Sequence, residues 1–308
     1  MPDETTTFGP NDWLVDEMRE QYQRDPSSVS ESWRDFFADD HDYASPAPEA
    51  EPSRDDSVPT AGAAPQPKAE EQPKAAPKTP EGTPIRGAQA RIVANMEASL
   101  HVPTATSARV VPAKLLEVNR KILNNHLMRS RGGKVSFTHL IGYAVVEALK
   151  TVPVLNSTFV APDNGGPPAV VHHDHVGLGL AVDVEKKDGT RTLLVPCIKN
   201  ADTLDFHDFW IAYEDLIKKV RTNKIGVDDF GGTTVTLTNP GTIGTVFSVP
   251  RLMPGQGAII GAGAIDYPAE YQAADPRTLA QLGVSKVVSL TSTASPSPMC
   301  SLATTEGG

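Results

Sequence analysis

The hydrophobic positions along this 308-residue chain fall into two patterned stretches separated by one that has no pattern. Near the N-terminus, Leu14, Met18 and Tyr22 recur at helical spacing behind a candidate N-cap at Asn11, and Asp25-Pro26 closes that helix. Ser27 or Ser28 is placed to cap a second helix, on which Val29, Trp33, Phe36 and Phe37 share one face. Two such helices cannot bury Trp13, Trp33, Phe36 and Phe37 by themselves. This arm is therefore expected to dock on a larger surface, of this chain or of a partner, the alternative being a small self-packed hairpin.

From Ala44 to Pro84 the pattern disappears into Pro, Ala, Glu, Lys and Ser, with ten prolines and nothing apolar larger than Val58. Such a segment buries too little to offset its ordering entropy and reads as a disordered linker. Pattern returns near Arg86. Ile92, Val93, Met96 and Leu100 form a helical face ended by Pro103, and a strand-like run follows from Thr104 to Val111. A helix carrying Leu115, Leu116, Ile122, Leu123 and Leu127 runs from Pro112 to Gly132-Gly133, and Ser136 caps another that continues to Pro153. The latter is apolar around most of its circumference, which predicts burial. Strands are predicted at Val170-Val171, Val176 to Val184, Leu193 to Ile198, Thr233 to Thr238, Val246 to Val249, Ala258 to Ile265 and Lys286 to Thr293. An amphipathic helix spans Phe206 to Val220. Helices leading and strands following predict an α+β sandwich with a mixed β-sheet.

Charge divides the chain in the same way. Residues 1 to 84 hold 19 acidic and 7 basic side chains, so the formal net charge of -10 belongs to the arm and linker, and residues 85 to 308 are near neutral. No basic stripe is present to meet phosphates, which excludes a nucleic-acid role. Two cysteines, Cys197 and Cys300, argue against a disulfide framework, and no apolar run reaches 18 residues. A protein with no membrane association, in a reducing cytoplasm, is expected.

Candidate chemistry is sparse. Gly255, Gly257, Gly261 and Gly263 invite a dinucleotide reading, but that fingerprint opens a helix, whereas these glycines lead into and lie within an apolar strand; close backbone packing or a strand bend explains them better. His172, His173 and His175 are the one histidine cluster. Alternation along a strand lets only His173 and His175 share a side, so a polar hairpin is favoured over a metal site. His101, His126 and His139 lie in or beside helices, as packing or capping residues. Cys197, inside an apolar strand, is expected to be inert, and Cys300 lies in a polar tail.

Four separated motifs resemble the catalytic domain of the 2-oxo acid dehydrogenase acyltransferases, in the family's order. They are Arg91-Ile-Val-Ala-Asn-Met-Glu-Ala-Ser-Leu-His-Val-Pro-Thr104, Ser136-Phe-Thr-His-Leu-Ile-Gly-Tyr-Ala-Val-Val-Glu-Ala-Leu149, Val176-Gly-Leu-Gly-Leu-Ala-Val-Asp183 and Thr236-Leu-Thr-Asn-Pro-Gly-Thr-Ile-Gly244. The arm, through Asp12-Trp-Leu-Val-Asp-Glu-Met18 and Asp25-Pro-Ser-Ser-Val-Ser-Glu-Ser-Trp-Arg-Asp-Phe-Phe37, resembles the N-terminal segment of 2-oxoglutarate dehydrogenases. Both on one chain resemble the actinobacterial multifunctional 2-oxoglutarate decarboxylase/dehydrogenases. The organisation this gives is a helical arm at 8–38, a linker at 39–85, an incomplete acyltransferase domain at 86–293 and an unmatched tail at 294–308.

The resemblance implies a chloramphenicol-acetyltransferase-like fold, often trimeric, and succinyl transfer to coenzyme A from a dihydrolipoyl group. Lipoyl-bearing acyltransferases and other 2-oxoglutarate or pyruvate dehydrogenase components are the implied partners. The linker lysines Lys68, Lys74 and Lys78 lack the hydrophobic flanking strands of a lipoyl hairpin, so the group comes from a partner. Thiamine diphosphate and Mg would belong to a further, downstream module. Thr238 occupies the position of the family's oxyanion-stabilising hydroxyl. The family's general base follows the final strand in an Asp-His-Arg motif. Here Thr293 is followed by Ala294-Ser-Pro-Ser-Pro298, and no histidine follows His207. The expectation is a truncated or frame-shifted piece without its base, with a non-catalytic assembly module as the alternative.

Overall fold

The structure is a computed structural model and describes residues 12–38, 88–130, 132–160, 169–185 and 191–295. The linker, Cys300 and the tail beyond 295 lie outside the described residues, as do Asn11 and the side chain of Trp13.

Two helices form the arm, α1 (Asp12–Arg24) and α2 (Glu31–Ala38). The break at Asp25-Pro26 falls as the sequence predicts, but neither Ser27 nor Ser28 caps α2. Asp25 instead accepts from the Ser27 backbone at 2.9 Å, and Pro26–Ser28 makes a single 3-10 turn before α2 begins. Both serine hydroxyls are engaged as donors to Asp25, Ser27 Oγ to its carboxylate at 2.7 Å and Ser28 Oγ to its carbonyl at 2.6 Å, and α2 starts only at Glu31.

The main body contains α3 (Ala88–Leu100), β1 (Ala105–Pro112), α4 (Lys114–Ser130), α5 (Phe137–Thr151), β2 (Ser157–Val160) and β3 (Ala169–His172). It continues through β4 (Leu178–Leu180), β5 (Val182–Glu185), β6 (Arg191–Leu194), β7 (Cys197–Ile198), α6 (Phe206–Arg221) and β8 (Val235–Thr238). It closes with β9 (Ala258–Asp266), α7 (Pro276–Gln281) and β10 (Val287–Ala294). Six strands pair in the order β1-β10-β9-β8-β4-β7, with β9-β8 and β8-β4 parallel and the other pairs antiparallel. This is the predicted α+β architecture with a mixed sheet.

Three predicted strands differ in the structure. The run from Val176 to Val184 divides after Leu180, so that β4 joins the large sheet while β5 leaves it, and the run from Leu193 to Ile198 divides at Val195-Pro196 in the same way. Proline has no amide to donate, and the paired breaks let β5 and β6 fold off as a separate two-stranded ribbon. Residues 246–249 form no strand. The apolar alternation there lies on the surface, with Val246, Phe247 and Val249 more than half exposed.

Two apolar clusters hold the structure together. The larger joins Ile141, Val146 and Leu149 of α5 and Phe209 and Leu216 of α6 to Leu178, Val235 and Leu237 in the centre of the sheet. At Gly142 a Cβ would lie only 3.2 Å from Phe209 Cζ and 3.3 Å from Leu237 Cδ2, so α5 sits closer to both than a larger residue allows. The second cluster answers where the arm goes. Trp33 is 2% exposed and packs with Val15 and Val29 against Leu194, Val220, Ile225, Val227 and Phe230 of this same chain. By contrast, the predicted apolar face of α3 is open, and Leu115 and Ile122 of α4 are 71% and 60% exposed.

Candidate active site

β8 ends at Thr238, and the chain turns at once through Asn239 and the 3-10 turn Pro240–Ile243, closed by Gly244 at φ 89. Gly241 allows that turn to lie against β9, for a Cβ there would stand 2.2 Å from both the carbonyl carbon and oxygen of Gly263. Gly263 is equally constrained, since its own Cβ would meet the Val246 carbonyl oxygen at 2.0 Å; the β9–β10 register shifts here, between Val288 and Leu290. Backbone contact therefore explains Gly263, as the sequence reading expected, and Gly241, which that reading did not single out. Thr238, half-buried, faces a cleft of about 950 Å³ bounded by this turn, the first turn of α5, one side of α6 and the β5–β6 ribbon.

Hydrogen bonds tie the turn to the helices. Asn239 Nδ2 donates to Thr138 Oγ1 at 2.8 Å, and the Tyr213 oxygen in turn accepts from Thr138. Burial nonetheless pushes the Tyr213 hydroxyl above its ordinary pKa. His139, 2% exposed, completes a capping box at the start of α5. Ser136 Oγ accepts from the His139 backbone, and the Ser136 backbone donates to His139 Nδ1 at 2.8 Å. Because Nδ1 is an acceptor, the neutral ring carries its proton on Nε2. That atom lies 3.0 Å from Glu214 Oε1 but lacks hydrogen-bond alignment, so the contact is electrostatic. Burial lowers the His139 pKa to about 4. With one nitrogen engaged and the other protonated, His139 is a capping residue and a poor general base, and it is the one histidine among the described residues lining the cleft.

The cleft walls mix charge and apolar surface. Arg120, Lys134, Arg191 and Arg221 line it together with Asp183, Glu185 and Glu214. Arg191 Nε donates to Asp183 Oδ2 at 2.9 Å across the β5–β6 pair, while the Arg120 guanidinium stacks 4.4 Å from the Phe137 ring centroid. Of these cleft residues the sequence singled out Thr238 for chemistry, and Ser136 and His139 as capping or packing residues. Thr138 of α5, Tyr213 and Glu214 of α6 and Arg191 of β6 come from three separate segments, and only the Ser136 cap, which fixes where α5 starts, hinted at one of them.

The remaining candidates lie elsewhere. His172 Nδ1 pairs with Ser157 Oγ at 2.7 Å, His173 Nε2 with Thr158 Oγ1 at 2.7 Å, and His175 Nδ1 with Asp202 Oδ2 at 3.0 Å. These are three separate partners at a hairpin, without a shared ligand side. Among the described residues the one group within metal-ligand reach is the exposed trio Asp205, His207 and Asp208. His101 and His126 are exposed. Cys197 is buried, and burial raises its pKa, as expected of an inert thiol. Gly255 lies in a turn at φ 83 and Gly257 packs 2.6 Å from the Ser157 carbonyl oxygen, measured from an added Cβ, so neither opens a helix. Among the described residues no helix is long and apolar enough to cross a membrane.

Comparison with known proteins agrees with this geometry. Residues 77–294 match the family described as 2-oxoacid dehydrogenases acyltransferase (catalytic domain), and residues 4–41 match the 2-oxoglutarate dehydrogenase N-terminus. The multifunctional 2-oxoglutarate metabolism enzyme of Mycolicibacterium vanbaalenii is 46% identical over 93% of this chain, which spans 26% of that protein's length. Among solved structures, a probable dihydrolipoamide acetyltransferase from Listeria monocytogenes superposes with TM-score 0.57 at 25% identity, covering 70% of this chain and 85% of that one. A truncated catalytic core of the 2-oxoacid dehydrogenase multienzyme complex from Thermoplasma acidophilum gives TM-score 0.55 at 25% identity, covering 70% and 88%. With an α+β body of that fold and a threonine facing the cleft at the end of its central strand, the chain belongs to the 2-oxoacid dehydrogenase acyltransferase family, through its catalytic domain.

Proposed function

We propose that the cleft beside Thr238 is a succinyl-transfer site, in which the thiol of coenzyme A attacks a succinyl thioester and expels a dihydrolipoyl thiol. The single observation that carries this reading is the position of Thr238, held half-buried over the cleft by a turn wedged against Gly263. There its hydroxyl donates to the oxygen that gains negative charge when the new C–S bond forms. Four basic side chains on the walls suit an anionic acyl group and a phosphorylated thiol. The lipoyl group is supplied by a partner protein of a 2-oxo acid dehydrogenase complex, in the cytoplasm.

The attacking thiol must also lose a proton, and on this reading no histidine among the described residues of the cleft is free to take it. His139 is committed to its cap and no histidine follows His207. Losing a general base costs about 10²- to 10⁴-fold in rate. Transfer by this polypeptide is therefore slow, and coenzyme A binding is the property that survives. The open apolar residues of α3, β1 and α4 support assembly into a homotrimer. A second reading, an assembly module of a dehydrogenase complex, draws on the same open apolar residues of α3, β1 and α4. Coenzyme A binding measured by calorimetry separates the two: micromolar affinity supports the transfer site, and none at millimolar ligand refutes it.

A further inference from the structure

Val182, Val184 and Val220 belong to two sites at once: they line the cleft, and they pack into the cluster that receives the N-terminal arm. The β5–β6 ribbon makes this possible. Its residues alternate, so that Asp183 and Arg191 pair over the cleft, while Val182 and Val184, which also border the cleft, pack with Leu194 into the cluster that holds the arm. Because β5 and β6 pair only with each other, outside the six-stranded sheet, the ribbon has no neighbouring strand to fix it. A two-stranded ribbon alone is marginal in water, so the cover on its apolar face decides how well it holds its place. The cluster on that face joins Trp33, Val29 and Val15 of the arm, which are 2%, 6% and 1% exposed, to Val220, Ile225, Val227 and Phe230 of the domain.

We propose that the N-terminal arm is a clamp on the cleft wall. Docked, it holds the ribbon, and with it the Asp183–Arg191 pair, against the cleft; released, it frees them. Linkage makes the effect reciprocal: a ligand that binds the clamped cleft more tightly also tightens the arm, and by the same factor. The ligand half of this inference rests on the coenzyme A reading above, whereas the ribbon half does not.

The test uses full-length chains carrying Trp33→Ala on the arm, or Gly226→Val on the domain, where an added Cβ would stand 2.9 Å from Ser32 Oγ. Hydrogen exchange reads the ribbon directly. Amides of 182–185 and 191–194 should exchange at least about tenfold faster in both variants, with β8, β9 and β10 unchanged, as expected for local release. Equal rates in ribbon and wild type overturn the clamp, and so does an acceleration spread evenly into β8 to β10, which would make the arm ordinary core. Coenzyme A, the probe for the second half, should bind each variant more weakly and should slow arm exchange in the wild type. Binding of equal strength in wild type and variants overturns the coupling. Absence of binding to every chain removes the transfer reading and with it the coupling, and the exchange data then decide the ribbon half alone.

Discussion

Asn239 Nδ2 donates to Thr138 Oγ1 at 2.8 Å, a bond across 101 residues that fastens the turn after Thr238 to the first turn of α5. The oxyanion candidate is thus held from two sides, by backbone contact with β9 and by a side-chain bond to a helix. Replacing Thr138 with Val leaves a partly buried amide without its acceptor, which costs about 1 to 3 kcal/mol. A double-mutant cycle of Thr138→Val with Asn239→Ala, read by urea denaturation, should show a coupling energy of about 1 kcal/mol, and additivity would mean that the bond is not formed.

Gly241 offers a sharper test of the turn. Gly241→Ala forces a methyl group into the Gly263 peptide, where backbone rather than a mobile side chain stands in the way. Overpacking of this kind costs about 1 to 3 kcal/mol or more. The thermal midpoint should fall by several degrees, whereas Gly231→Ala, with open space around it, should change it little.

His139 makes stability depend on pH with a definite sign. Its folded pKa is about 4 against 6.5 for the free side chain, so the unfolded chain binds the proton first. Its contribution is present above about pH 6.5 and is lost as pH falls toward 4, by at most a few kcal/mol at about 1.4 kcal/mol per pH unit. His173 is lowered in the same direction, through burial, while the hydrogen bond to Asp202 raises His175 and gives the opposite sign. Denaturation at pH 7 and pH 5 should show the wild type losing stability and His139→Gln losing less of it.

The open faces of α3, β1 and α4 predict self-association. Light scattering on the eluted protein should give three times the chain mass, and Leu115→Lys, at a position 71% exposed in the single chain, should shift it toward monomer. A monomeric wild type at tens of micromolar would refute the trimer.

What was legible in the sequence is what local physics decides. The Ser136 cap, the break at Asp25-Pro26 and the central strand ending at Thr238 all follow from residues close together in the chain. The glycines of β9 were legible as sites of close packing, though their partner, the turn at Gly241, was not. What escaped depends on contacts between distant segments. The strand breaks at Ala181 and Pro196 make sense only because the chain leaves one sheet to build the ribbon. The aromatic face of the arm was evident, but its receptor is assembled from Leu194, Val220, Ile225 and Phe230, scattered through other elements. The apolar alternation at 246–249 looked like a strand because period two alone does not say whether a pairing partner exists.

The central claim, a transfer site with its oxyanion hydroxyl but without its base, is tested most directly by coenzyme A-dependent transfer from succinyl-dihydrolipoamide. With saturating coenzyme A bound, the chain should turn over about 10²- to 10⁴-fold below an acyltransferase that has its histidine base. Turnover equal to such an enzyme, or a rate unaffected by Thr238→Val, would contradict the account.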